Sequence, residues 1–208
     1  MKIERINTYD DVRFSKKILQ QHGAFIVDDI FPCAFEIINN KSALIRYHDY
    51  QFIDEIIDEF RFYAEHIINF YNDQQVLLKQ FEAKNYFYLD LDLIQPSQFY
   101  IDQLKLEAVS SFINIAEDVI IPLGIYNSHY VALDGHTRMY CAYQRGFKQV
   151  LGYDAALSAA LNGFIIEAQR RNIRVIADLP VLLHQEYEEK WNHYCEEYFK
   201  QGNRNGCL

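Results

Sequence analysis

The stretch Tyr130-Val131-Ala132-Leu133-Asp134-Gly135-His136-Thr137-Arg138 decides how this chain is read. Its apolar beginning suits a strand, and the residues after Gly135 open a helix that closes at Gly146, a natural C-terminal cap. A strand that feeds directly into a helix presents the first helical N–H groups, which lack internal partners and carry partial positive charge. Such a start attracts anions, here the phosphate of a nucleotide. Gly135 lets the backbone approach a bulky ligand, Thr137 supplies a hydroxyl, and Arg138 offers a bidentate fork to phosphate oxygens. Asp134 can hold a metal ion or take a proton from a hydroxyl nucleophile, and His136 can donate to a phosphate or shuttle a proton. A plainer reading stands beside this one: Asp134 caps the helix, His136 and Thr137 are solvated, and Arg138 pairs with a local carboxylate.

Outward from the turn, residues 119–126 form a strand that Asn127-Ser128 joins to 130–133 as a hairpin. Upstream, 87–93 alternates as a half-buried strand does, Gln95-Pro96-Ser97 breaks it, and Asp102 caps a helix carrying Leu106, Val109, Phe112 and Ile113. Downstream lie a strand at 148–153 and helices at 155–171 and 184–200. Nearer the N-terminus, 24–27 is a strand, and 35–38 and 43–45 flank a hairpin turn. An amphipathic pattern with Ile53, Ile56, Ile57, Phe60, Ala64, Ile67 and Phe70 predicts one long helix over 51–71. The whole reads as α+β: a small α+β unit over 1–87, of unassigned role, and a second domain over 88–208 that includes the C-terminal helices.

Composition narrows the function. The 208 residues carry a net charge of −9 and no basic stripe, which disfavours nucleic acid as a partner. No run is apolar enough to span a bilayer, and Met1-Lys2-Ile3-Glu4-Arg5 lacks the apolar core of a signal peptide, so no membrane partner is expected. Cys33, Cys141, Cys195 and Cys207 are scattered without a Cys-x-x-Cys pair, which suits a reduced, cytoplasmic protein. With 16 Tyr and 15 Phe, the core is expected to be aromatic.

The run Ile94-Gln95-Pro96-Ser97-Gln98, the helix with Lys105-Leu106-Glu107-Ala108-Val109, the pair Ile121-Pro122, the Tyr130–Arg138 stretch, and Ala142 with Gly146 together resemble the ParB-like nuclease domain of the ParB/sulfiredoxin superfamily. The likeness covers residues 88–155 and implies that the Gly-x-x-Arg turn and its helix bind nucleotide phosphates. Sulfiredoxins have a cysteine after the glycine, where this chain has His136, so their chemistry is not expected. Partition-type ParB proteins carry a DNA-binding helix pair after the domain, but here those helices bear Glu186, Glu188, Glu189, Glu196 and Glu197, which is wrong for a duplex. The ADP-dependent free serine kinases share the Asp-Gly-His-x-Arg turn, and Asn172-Ile173-Arg174-Val175-Ile176-Ala177-Asp178 is loosely similar to them too. Their glutamate base, two residues after the domain's first proline, falls on Gln98, which cannot accept a proton. Glu107, Glu117 or a carboxylate of the N-terminal half would then have to replace it.

Ser97 and Gln98 precede a helix and are read as near the substrate, while Ser97 also fits turn chemistry. Lys105 and the Glu65-His66 pair read as solvated, and Tyr187, Trp191, Tyr194 and Tyr198 as core. The histidines show no metal-ligand spacing. The expected function is phosphoryl transfer to or from a small hydroxylated molecule, with an adenine nucleotide and magnesium at Asp134 as cofactors; the alternative is a non-catalytic nucleotide sensor or interaction module. The acceptor, the base and the oligomeric state are open at this point.

Overall fold

A computed structural model describes residues 1–204, without the side chains of Tyr50 and of 201–204; Cys207 and the end of the predicted 88–208 domain lie outside the described residues. The chain is mixed α+β and divides into a unit of Met1–Lys84 and a unit that begins at Asn85.

The first unit is a six-stranded sheet in sequence order. Strand β1 (Ile3–Arg5) is followed by helix α1 (Lys16–Gln20), which Ser15 caps, and by β2 (Ala24–Val27), β3 (Phe31–Asn39) and β4 (Ser42–Arg46). These strands pair antiparallel. Helix α2 (Ile53–Tyr63) then crosses over to β5 (Asn69–Asn72), parallel to β4, and β6 (Leu77–Gln80) completes the sheet. The long helix predicted over 51–71 is therefore two elements. Its register is shared: Ile67 and Phe70 are fully buried, but on the approach to β5 and within it. Arg61 closes the helix by donating to the backbone carbonyls of Glu65 and Ile67. Glu65 accordingly lies beyond α2 and pairs with Lys84 at 2.6 Å. Phe25, Phe35, Phe60 and Phe70 make the core, with Phe35 and Phe60 stacked at 4.2 Å.

The second unit holds a five-stranded mixed sheet in the order β7-β12-β10-β11-β8. Strand β7 (Phe87–Asp90) and β8 (Ile94–Pro96) lead to β9 (Ile101–Asp102), whose last residue caps α3 (Gln103–Ser110). The hairpin of β10 (Ile120–Tyr126) and β11 (His129–Ala132) turns on Asn127 and Ser128, both with positive φ as a primed turn demands. Helix α4 (His136–Gln144) follows and ends before Gly146, whose φ of 75° makes it the C-terminal cap. Strand β12 (Gln149–Asp154) enters parallel to β10. Helix α5 (Ala159–Arg170), strand β13 (Val181–Leu182), α6 (His184–Tyr187), a π-helical turn (Glu188–Asn192) and α7 (His193–Arg204) finish the unit. The C-terminal segment predicted as one helix is one unbroken helical run, widened to π-helical over Glu188–Asn192. Phe99 and Phe164 meet Trp191 and Tyr194 in an aromatic cluster, and Tyr198 packs on Phe164. A short parallel pair, β9 with β13, is among the elements that sequence periodicity missed, since two residues carry no period.

Candidate functional site

Strand β11 delivers the chain to Asp134, and Gly135 turns it into α4 with φ 81° and ψ 18°. That left-handed conformation is the reason for a glycine here. The N-cap residue, Gly135, offers no side chain to this start. The first amides of a helix have no partner within it.

The space a side chain at residue 135 would occupy is filled. A Cβ there would lie 2.7 Å from Ile121 Cδ1, 3.0 Å from Arg138 Nη2 and 3.2 Å from Arg138 Nε. The guanidinium is thus folded back along the glycine toward the helix start. It reaches Asp134, with Nη2 to Oδ2 at 3.3 Å, and is 16% exposed while the carboxylate is 67% exposed. Thr137 is half-buried beside it.

Ser97 and His136, residues far apart in sequence, are joined directly. Parallel pairing of β11 with β8 sets Ala132 opposite Pro96, so Ser97, the next residue after β8, meets the helix start. The Ser97 N–H donates to His136 Nε2 at 3.0 Å, and the Ser97 hydroxyl donates to the Ala132 carbonyl at 2.7 Å. Because Nε2 accepts, the imidazole is neutral with its proton on Nδ1. Burial pushes its pKa down to about 4, and the ring is 4% exposed. His136 holds the 97 loop against α4.

The Gln98 side chain is held by two bonds. Its amide donates to the Tyr100 carbonyl and to the Tyr187 hydroxyl. Lys105 places its ammonium 5.0 Å over the Tyr187 ring. Of the carboxylates weighed as a replacement base, Glu107 accepts from Gln103, and Glu117 from the Tyr88 hydroxyl. Among the described residues no three His, Cys, Asp or Glu side chains converge to hold a metal.

One pairing was invisible in the sequence. Asp102, fully buried, caps α3 with Oδ1 and accepts from His184 Nδ1 with Oδ2 at 2.8 Å. The two residues are 82 positions apart. The helix-cap signal at Asp102 was legible, but its second oxygen had no readable partner.

No family model matches the chain, and no curated protein matches it. Among solved structures, protein Atu1540 from Agrobacterium tumefaciens is similar with a TM-score of 0.34 and 16% identity, over 47% of this chain and 62% of that one. The chain thus spans less than two thirds of that protein's length, and a likeness this low carries no argument about fold or function.

Proposed function

We propose that the unit beginning at Asn85 binds a nucleotide by its phosphates at the start of α4 and transfers a phosphoryl group between it and a small hydroxylated molecule. The observation that carries this reading is the Arg138 guanidinium folded over Gly135, beside a helix start whose N-cap residue has no side chain. A guanidinium fork and helical N–H groups on one spot favour a multiply charged oxyanion. Resemblance of residues 88–155 to the ParB/sulfiredoxin superfamily supports the same site and ligand.

In this reading the amides of His136 and Thr137 cradle phosphate and Arg138 neutralises charge as the phosphoryl group moves. Asp134 is a single exposed carboxylate. That suits magnesium arriving on the nucleotide, which needs only one or two protein carboxylates, and not a cage built by protein alone. When bound, magnesium would draw charge from the phosphate oxygens. His136, buried and neutral, positions the Ser97 loop. With a net charge of −9, the ligand is a free nucleotide and not a nucleic acid.

A second reading is a nucleotide sensor without turnover, favoured by Gln98, whose amide is already committed to Tyr100 and Tyr187. Calorimetric titration with ADP and ATP in magnesium tests the site: Arg138→Ala is expected to weaken binding roughly ten- to a hundredfold, the worth of a charged hydrogen bond or two. Transfer to a panel of hydroxylated amino acids and sugars, abolished in Asp134→Ala, marks an enzyme. Tight binding with no transfer marks a sensor.

A further inference from the structure

We propose that His184, held by the buried carboxylate of Asp102, is the proton acceptor for the hydroxyl group phosphorylated at this site; this deepens the phosphotransfer reading and rests on it. The pair has the geometry of a base with its orienter. Asp102 is 0% exposed, and its Oδ2 lies 2.8 Å from His184 Nδ1. Such a carboxylate fixes the tautomer with the proton on Nδ1 and leaves Nε2 as the acceptor. The His184 side chain is 44% exposed, so a substrate hydroxyl can reach it.

A chain of contacts runs from the start of α4 to the pair. Ser97 is bonded to His136 at the start of α4, and its neighbour Gln98 donates to the Tyr187 hydroxyl at 3.3 Å. Tyr187 lies three residues after His184 on α6, so the two side chains are neighbours on one helix face. Strand β9, which carries Asp102, packs against both α4 and α6. The π-helical turn that follows α6 is a feature concentrated at functional positions. Gln98 cannot take a proton, and His136 is sealed in a structural bond, so neither serves as the base.

In the step, His184 Nε2 takes the proton of the acceptor hydroxyl as its oxygen bonds to the terminal phosphorus of a nucleoside di- or triphosphate. The phosphorus–oxygen bond to the remaining nucleotide breaks, and its electron pair leaves with that nucleotide. Asp102 stabilises the imidazolium that results. The charged groups facing the ring and its helix are Asp102 on β9, Glu188 on the π-helical turn with Oε1 3.6 Å from Nε2, and Lys105 on α3 over the Tyr187 ring.

The experiment compares the intact wild-type chain with His184→Gln, His184→Ala, Asp102→Asn and Arg138→Ala, checking fold by circular dichroism. Nucleotide affinity and transfer rate to the hydroxylated panel are measured across pH. His184→Gln is expected to lose about a hundredfold or more in rate with nucleotide affinity unchanged, and to lose the rise of rate with pH. Added imidazole is expected to restore rate to His184→Ala, which a merely structural histidine would not allow; Asp102→Asn is expected to fall between. Transfer by His184→Gln within about threefold of wild type, or a wild type that binds nucleotide and transfers to no acceptor, overturns the proposal while nucleotide binding stands. Failure of the wild type to bind ADP or ATP, with Arg138→Ala no different, overturns the underlying reading as well.

Discussion

At Gly135 two constraints coincide, and they predict more damage than either alone. The backbone is left-handed, which costs a residue with a Cβ, and the volume is taken by Ile121 and the Arg138 guanidinium. Gly135→Ala is expected to lower stability by about 1–3 kcal/mol and to push the guanidinium off the helix start, so denaturant midpoint and nucleotide affinity fall together. His136 makes a separate prediction. Its folded pKa, about 4, lies below the ordinary 6.5, so the unfolded chain binds the proton first as pH falls. Stability is full above about 6.5 and is lost progressively toward 4. The loss approaches about 3 kcal/mol at 1.36 kcal/mol per pH unit. His136→Gln, which keeps an acceptor for Ser97 but does not titrate, is expected to flatten that slope in urea unfolding series at several pH values.

One local device recurs among the elements of the second unit, after α3 and after α5. After α3, Asp118 Oδ2 accepts from the amides of Asn114 and Ile115 at 2.7 and 3.1 Å. After α5, Asp178 Oδ2 accepts from Arg174 and Val175 at 2.8 and 2.9 Å. Each carboxylate draws a single 3-10 turn tight, so the chain leaves a helix and enters a strand within a few residues. For the second case that strand is β13, which pairs with β9 and so keeps Asp102 opposite Leu182. Asp178→Ala is expected to cost about 2 kcal/mol, the worth of charged hydrogen bonds to backbone, read as a lowered urea midpoint. In the first unit a different contact ties elements together: Lys17 of α1 and Arg46 of β4 hold the Glu36 carboxyl on β3 below the usual range.

At the scale of the whole molecule, each unit carries its own apolar core. The phenylalanine cluster belongs entirely to residues before Lys84, and the cluster around Phe99, Ile121 and Met139 entirely to residues after Asn85. Separate cores predict separate folding. Expressed as 1–84 and as a fragment from Asn85 onward, the two are each expected to give a cooperative thermal transition, and limited proteolysis of the intact chain to cut near that boundary. Among the described residues, no helix is long and apolar enough to cross a membrane, and Cys33, Cys141 and Cys195 are free thiols. Burial raises the Cys195 thiol to about 11, and that of Cys33 further, which makes both poor nucleophiles near neutral pH.

What could be read without a structure was whatever neighbours along the chain decide. The β10–β11 hairpin follows from Asn127-Ser128 between apolar runs, the start and end of α4 follow from Gly135 and Gly146, and the capping of α3 follows from Asp102, because turns and caps are settled within a few residues. Tertiary structure alone decided the rest. Whether 67–72 continues a helix or forms β5 depends on β4 being there to pair with it. Whether His136 faces solvent or Ser97 depends on the parallel register of β8 and β11, and whether Asp102 has a partner depends on a histidine 82 residues away. Local sequence sets backbone preference at each position, but burial and pairing are properties of the packed chain, and in this protein they determine which polar groups remain available for chemistry.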